Sequence, residues 1–249
     1  MSLNKLLQQI DENQGEIIAH FKFDDAILKK INYNFRLDWN YYSNRMEGGT
    51  LTREETRSVM VGNISVNGKP IKDVMEMNGH DKVVLEILKL GKAEKRLSES
   101  RVKEIHKAIM HEEDPEKAKE IGRWKKEANE IINYKGEKIG FTAPSEVPMR
   151  THSILDKLNA QLDSFLADKK EKRHLLLIAS DFHLDFISVH PFYDGNGRTT
   201  RIFTNLILIA CELPVIIIKD GQKERYYRTL SDIQAYGGNP ELFYSFIAE

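Results

Sequence analysis

His190-Pro191-Phe192-Tyr193-Asp194-Gly195-Asn196-Gly197-Arg198-Thr199-Thr200-Arg201 joins two apolar runs, Leu175 to Val189 and Ile202 to Cys211, each long enough for a buried helix. A histidine closes the first run and an acid follows four residues later. Two glycines flank an asparagine, and two arginines stand three apart on the first turn of the next helix. Glycines let the backbone aim its N–H groups at a ligand lying at the positive end of that helix, which is how proteins grip phosphate. Asp194 can hold magnesium, and Arg198 and Arg201 can clamp further phosphate oxygens. The ordinary pKa of a residue like His190 suits proton transfer near neutrality. The parts describe a nucleotide site with a base beside it.

At every specified position this stretch resembles the H-x-F-x-(D/E)-G-N-G-R-x-x-R signature of the Fic (filamentation induced by cAMP) family. The resemblance implies transfer of AMP from ATP to a hydroxyl side chain of a target protein. It assigns His190 as the base and Asp194 as the holder of a magnesium ion bridging the α- and β-phosphates. Gly195, Asn196 and Gly197 would present polar groups to developing charge. Arg198 would steady the departing pyrophosphate and Arg201 the γ-phosphate. Downstream, Asn205 to Leu208, Pro214, Arg225-Tyr226-Tyr227 and Phe243 to Ala248 look like the remainder of such a domain. There Tyr227 and Gln234 take the places near the adenine, although the family more often has asparagine where Gln234 stands. Tyr226 reads as packing.

Upstream, Ser43-Asn44-Arg45-Met46-Glu47-Gly48 fits the (S/T)-x-x-x-E-(G/N) inhibitory motif of the same family. Ser43 and Glu47 are four apart and share a helix face. A carboxylate in a helix's last turn opposes the dipole, which gives Glu47 reason to take a partner. Pairing bidentately with Arg201 would occupy the arginine assigned to the γ-phosphate and leave ATP only a misplaced pose.

Between Gly122 and Pro148 the helical spacing lapses. Ile131 to Phe141 holds two short β-like runs around a Lys-Gly turn, a plausible hairpin. Its edge can pair with an extended peptide. In the resemblance it is the flap beside the active site, with Ile139, Gly140 and Phe141 as target-binding residues.

The rest reads as helices. Leu3, Leu6, Leu7 and Ile10 recur at helical spacing, as do Ile27, Leu28 and Ile31. Phe35 to Met46 is aromatic-rich and stops at Gly48-Gly49. Thr52 to Glu55 has the capping-box form, Pro70 can open a helix running to about Leu90, and Arg101 to His111 puts Val102, Ile105 and Ile109 on one face. Met149 to Leu166 is helical again. The fold expected is mainly α: a Fic-type helical bundle with a small β-hairpin flap and an N-terminal helical extension. Residues 1–95 would carry the inhibitory motif and 96–249 the core, as one unit.

Composition narrows the function. The 249 residues carry 37 basic and 38 acidic side chains, a formal net charge of −1, with no pull toward nucleic acid or anionic membrane. No segment approaches the roughly 18 apolar residues of a membrane span, and no secretory signal opens the chain. The lone Cys211 reads as a core filler in a reducing compartment, so a cytoplasmic protein is expected. His183, seven residues before His190, could face the same side and join Asp194 in a metal triad, but lacks a third ligand at typical spacing. Ser180, Ser188 and Cys211 have no histidine placed for a hydrolase triad. Two alternatives stand beside AMP transfer. The same site could remove AMP, with Glu47 orienting water, or the chain could be a nucleotide-responsive binding module. The target, its side chain, the choice of ATP over another donor such as UTP, and the oligomeric state, a homo-oligomer included, are left open.

Overall fold

The structure, a computed structural model, describes residues 1–20, 24–62, 66–90, 96–167 and 173–249. Helix α1 (Leu3–His20) buries Leu7 and lies against the C-terminal helix. Helix α2 runs unbroken over Asp25–Met46, joining two stretches that the sequence treats separately. Asp24 caps it by accepting the Ile27 N–H at 2.8 Å. It ends where expected, on Gly48 at φ +90°. Gly49 is confined differently, since a Cβ there would lie 2.9 Å from the Asn44 carbonyl oxygen.

Helix α3 (Arg53–Met60) opens with the reciprocal capping box anticipated at Thr52 and Glu55. Helix α4 covers Ile71–Leu90 and helix α5 Glu99–Ile109. The latter starts two residues earlier than its apolar spacing suggests, because the Ser98 hydroxyl caps it at Arg101 N–H. One turn over Pro115–Ala118, α6, was not anticipated; Asp114 caps it at Glu116 N–H. Strands β1 (Glu130–Ile132) and β2 (Lys138–Gly140) form the hairpin, with Ile131 opposite Ile139. Asn133 sets its turn, its Oδ1 accepting the N–H groups of Lys135 and Glu137 at 2.9 and 2.8 Å. Helix α7 (Val147–Ala167) includes Pro148 in its first turn, where no N–H is needed. That proline starts the helix rather than ending the hairpin.

Helices α8 (Leu175–Val189) and α9 (Asn196–Ala210) form the centre, with α10 (Lys223–Tyr236) and α11 (Glu241–Ala248) packed beyond them. Helix α9 is buried almost all round, as a helix enclosed by others must be. One apolar core joins Leu7, Trp39, Met46 and Val83 from the N-terminal helices to Phe186, Phe203 and Phe243. Residue 95, where the sequence suggests a division, lies outside the described residues. Cys211 is half-buried at the end of α9 and packs against this core.

Candidate functional site

The join between α8 and α9 is a tight piece of backbone. His190 caps α8 in the left-handed region at φ 52°, ψ 61°, a conformation costing on the order of 1 kcal/mol for a residue with a side chain. Its Nδ1 lies 3.3 Å from the Ile187 carbonyl oxygen. A carbonyl only accepts, so Nδ1 carries the hydrogen and Nε2 keeps its lone pair. The imidazole stacks on Phe141, with centroids 3.8 Å apart and rings 12° from parallel. Burial, above all, with the nearby Lys125 charge, lowers its pKa to about 4. The ring is therefore neutral at neutral pH.

Gly195 begins α9 at φ +77°, and a Cβ there would sit 2.4 Å from the Met110 sulfur. Its N–H donates to Asp194 Oδ1 at 2.6 Å. Asn196 spends its side chain on the loop. Its Oδ1 accepts from Phe192 N–H and its Nδ2 donates to the Phe192 carbonyl, at 2.9 and 2.8 Å. What α9 can offer an anion here is backbone N–H and dipole.

His106 of α5 braces this loop. It donates from Nε2 to the Asp194 carbonyl at 2.8 Å and accepts the Gly122 N–H on Nδ1 at 2.9 Å. It also stacks on Phe192 at 3.7 Å. Burial lowers its pKa to about 4, in keeping with a neutral ring that gives and receives one hydrogen bond. Its apolar helix face carried no hint of this partner, 88 residues away.

The two arginines separate. Arg201 donates from Nη2 to Glu47 Oε1 at 2.6 Å, from Nη2 to the Ser43 carbonyl at 3.0 Å, and from Nε to Ser43 Oγ at 3.2 Å. The pairing of Glu47 with Arg201 is thus present, but through one oxygen rather than a two-pronged fork. Burial opposes the Arg201 charge, yet Glu47 and the neighbouring tyrosines outweigh it and hold the pKa above the ordinary range. Its Nη1 is buried with no partner among the described residues, and a Cβ on Gly197 would stand 3.0 Å from it. That Cβ would also stand 2.4 Å from Glu47 Oε1. Glycine at 197 therefore makes room for whatever negative group Arg201 receives.

Arg198 turns the other way. Its Nη1 donates to Glu76 Oε2 of α4 at 2.5 Å, with side-chain exposures of 4% and 9%, and its Nη2 reaches the Met110 sulfur at 3.1 Å. It lines a cavity of about 260 Å³ behind Glu47, not the main cleft. Arg198 thus meets a carboxylate of α4 where the sequence expects a phosphate. Removing one partner of such a pair strands a buried charge, typically about 3–5 kcal/mol. Glu76→Ala is expected to lower the melting temperature by roughly 10 °C; a thermal melt within about 2 °C of the parent would show the pair is not what holds α4 to α9.

His190, Glu47, Gly197 and Arg201 open onto one cleft of about 830 Å³, the size of a small-molecule site. Tyr227 lines it and donates its hydroxyl to the Met46 carbonyl at 3.3 Å, touching the end of α2. Gln234 lines it too, its Nε2 3.4 Å from Ser188 Oγ. Of the three flap residues expected, Phe141 reaches the cleft through its stack on His190. Ile139 is buried and Gly140 does not line the cleft; the strand that does is β1, with Ile131 and Ile132 exposed. Alternation along the hairpin sends Ile139 inward. His183 does not join His190. Its two nitrogens meet Thr204 Oγ1 and Tyr226 Oη at 2.9 and 2.8 Å inside the core, which removes it as a metal ligand. Tyr226, read as packing from the sequence, is buried with its hydroxyl on His183 and also lines the cleft wall.

These features define a helical protein with a glycine-bounded helix junction opening on a cleft, a hairpin beside it and an internal carboxylate on its arginine. The profile of the Fic/DOC family matches residues 96–208. Residues 96–208 are thus similar to a Fic/DOC domain. It is 26% identical over 98% of its length to a protein named protein adenylyltransferase Fic from Nematostella vectensis, covering 53% of that protein. It is 29% identical to the protein of the same name from Drosophila willistoni, again over 98% of this chain and 45% of the relative. The chain thus spans about half the length of these curated relatives. A solved structure of a Fic domain containing signaling protein from Bacteroides thetaiotaomicron superposes with a TM-score of 0.81 at 27% identity, covering 98% of this chain and 86% of that one. Among the described residues, no helix is long and apolar enough to cross a membrane.

Proposed function

We propose that the chain is a protein adenylyltransferase that moves AMP from ATP to a Ser, Thr or Tyr hydroxyl of a target protein, and that Glu47 restrains it. One observation carries this reading: a neutral imidazole with a free Nε2 and a buried arginine holding a displaceable carboxylate open onto the same cleft. The names of the two curated relatives agree with it.

In the reaction, His190 Nε2 takes the hydroxyl proton as the oxygen attacks the α-phosphorus, and the bond to the pyrophosphate oxygen breaks. The helix α9 terminus meets the charge that develops on the phosphoryl oxygens. Arg201 fixes the γ-phosphate once Glu47 yields. Tyr227 and Gln234 flank the base, and the exposed β1 edge holds the target segment by strand pairing. Asp194 is exposed with Oδ1 held by Gly195, which fits a magnesium ion that draws most ligands from phosphate and water. Bound there, magnesium would neutralise charge on the α- and β-phosphates.

Glu47→Gly protein incubated with ATP and magnesium is expected to gain the mass of an adenylyl group on itself or on an added cell extract. Clear ATP binding with no adduct on any protein would instead leave a binding module. The reverse reaction has one point in its favour: among the described residues Arg201 engages only Oε1 of Glu47, leaving Oε2 to orient water. Feeding adenylylated Glu47→Gly protein to the parent enzyme separates the two directions, since only the reverse reading expects AMP release that needs Glu47.

A further inference from the structure

A buried lysine outside the signature is tied to the base from both sides. Lys125 is 4% exposed, an unusual place for an ammonium group. Its backbone N–H donates to the Pro191 carbonyl at 2.9 Å, just after His190. Its Nζ reaches the Val189 carbonyl, just before His190, at 3.5 Å, and donates to Asn129 Oδ1 at 2.5 Å. Asn129 completes the frame. Its Nδ2 donates to the Phe192 carbonyl at 3.0 Å, and its carbonyl accepts the N–H of Phe141, whose ring stacks on the imidazole. A left-handed histidine persists only where its surroundings over-determine it, and residues 189–192 are held by this pair.

We propose that Lys125 is a positioning residue for His190: it fixes the backbone on either side of the histidine and adds a positive charge that repels a proton on the imidazole. The inference rests on His190 being the base. Three charged groups act on the ring. Lys125, from the segment after Gly122, opposes protonation; Glu47, at the end of α2, and Asp194, on the same loop, favour it. Burial brings the Lys125 pKa down to about 8, so it remains mostly charged at neutral pH. Taking the lysine away removes the charge that opposes protonation and leaves the two carboxylates that favour it, so His190 must become easier to protonate.

The test reads this directly. The His190 ring signal, assigned by its loss in His190→Asn, is titrated by NMR in the parent, Lys125→Met and Lys125→Arg. In Lys125→Met the midpoint is expected to rise by about one pH unit, the size of one charge several ångströms away at a surface-like dielectric; Lys125→Arg should stay with the parent. Should Lys125→Met fold poorly, Lys125→Gln gives the same expected rise. In Glu47→Gly enzyme, Lys125→Met should lower kcat about 10-fold with KM for ATP within about 2-fold and move the acid limb of the rate profile upward. A titration midpoint that stays put in folded Lys125→Met or Lys125→Gln overturns the proposal. Because NMR needs no turnover, absence of any adenylyl transfer would count against the enzymatic reading alone.

Discussion

Replacing Glu47 by glycine is expected to raise the rate of AMP transfer by about 10²-fold, the factor that a misplacement near 1 Å at the reacting centre commonly removes. The geometry says why so small a change should do so much. Glu47 Oε1 sits 2.6 Å from Arg201 Nη2 and over Gly197, where a terminal phosphate would have to lie. A nucleotide entering the cleft meets a carboxylate at the signature arginine that lines it. Once Glu47 is gone the guanidinium does not drift, because Ser43 still accepts from Nε and Nη2 through its hydroxyl and carbonyl oxygens. The variant thus exposes a prepositioned arginine rather than a loose one.

Stability should change less than in Glu76→Ala. Glu47 is the C-cap of α2, where glycine is tolerated and a carboxylate opposes the helix dipole. Against this, Arg201 is only 7% exposed, and losing its carboxylate leaves a buried guanidinium on Ser43 alone, a cost of about 1–3 kcal/mol. Initial rates of label incorporation from α-labelled ATP, compared with parent at equal protein, measure the effect. A variant that binds ATP yet labels no faster than the parent would remove Glu47 from any restraining role. Glu47→Gln, which keeps the volume and a weaker hydrogen bond, should fall between the two.

The difference between Arg201 and Arg198 marks what the sequence could and could not disclose. The signature is contiguous, so its helix break, its glycine turn and the histidine placed between the helices were legible, as was the capping box at Thr52. The inhibitory motif was legible as a face, Ser43 with Glu47, because both lie on one helix four residues apart. Partners drawn from other elements were not. Glu76 stands 122 residues from Arg198 and looked like an ordinary polar position in α4. Its pairing turns Arg198 away from the cleft, which spacing along α9 had no means of showing. His106, Lys125 and Asn129 were invisible for the same reason: each matters through a backbone carbonyl of the loop, and a carbonyl carries no residue identity. The choice of β1 over β2 as the cleft edge depended on which hairpin face α10 and the loop cover. Tyr236 Oη accepts from Asn133 Nδ2 at 2.8 Å and the Tyr134 hydroxyl donates to Asp232 at 2.7 Å, anchoring the turn to α10.

His190→Asn in the Glu47→Gly background is expected to lower kcat by about 10² to 10⁴-fold, the range a general base supplies. Asparagine is the informative substitute because it accepts the left-handed backbone of residue 190 while removing the titrating nitrogen. KM for ATP should barely move, since the imidazole acts on the hydroxyl and not on the nucleotide. The pH profile adds a second, sharper requirement. The parent ring is held at about 4, chiefly by burial, and the base works only unprotonated. Activity should therefore rise with pH through that value and be flat by about pH 6, instead of turning near the 6.5 of an ordinary histidine. Glu47→Gly takes away a carboxylate that favours protonation, so its acid limb should lie lower still, never higher. A limb centred near 6.5 would mean a solvated ring that has left Phe141, and a His190→Asn enzyme with kcat within a few-fold of its parent would assign the proton to another acceptor.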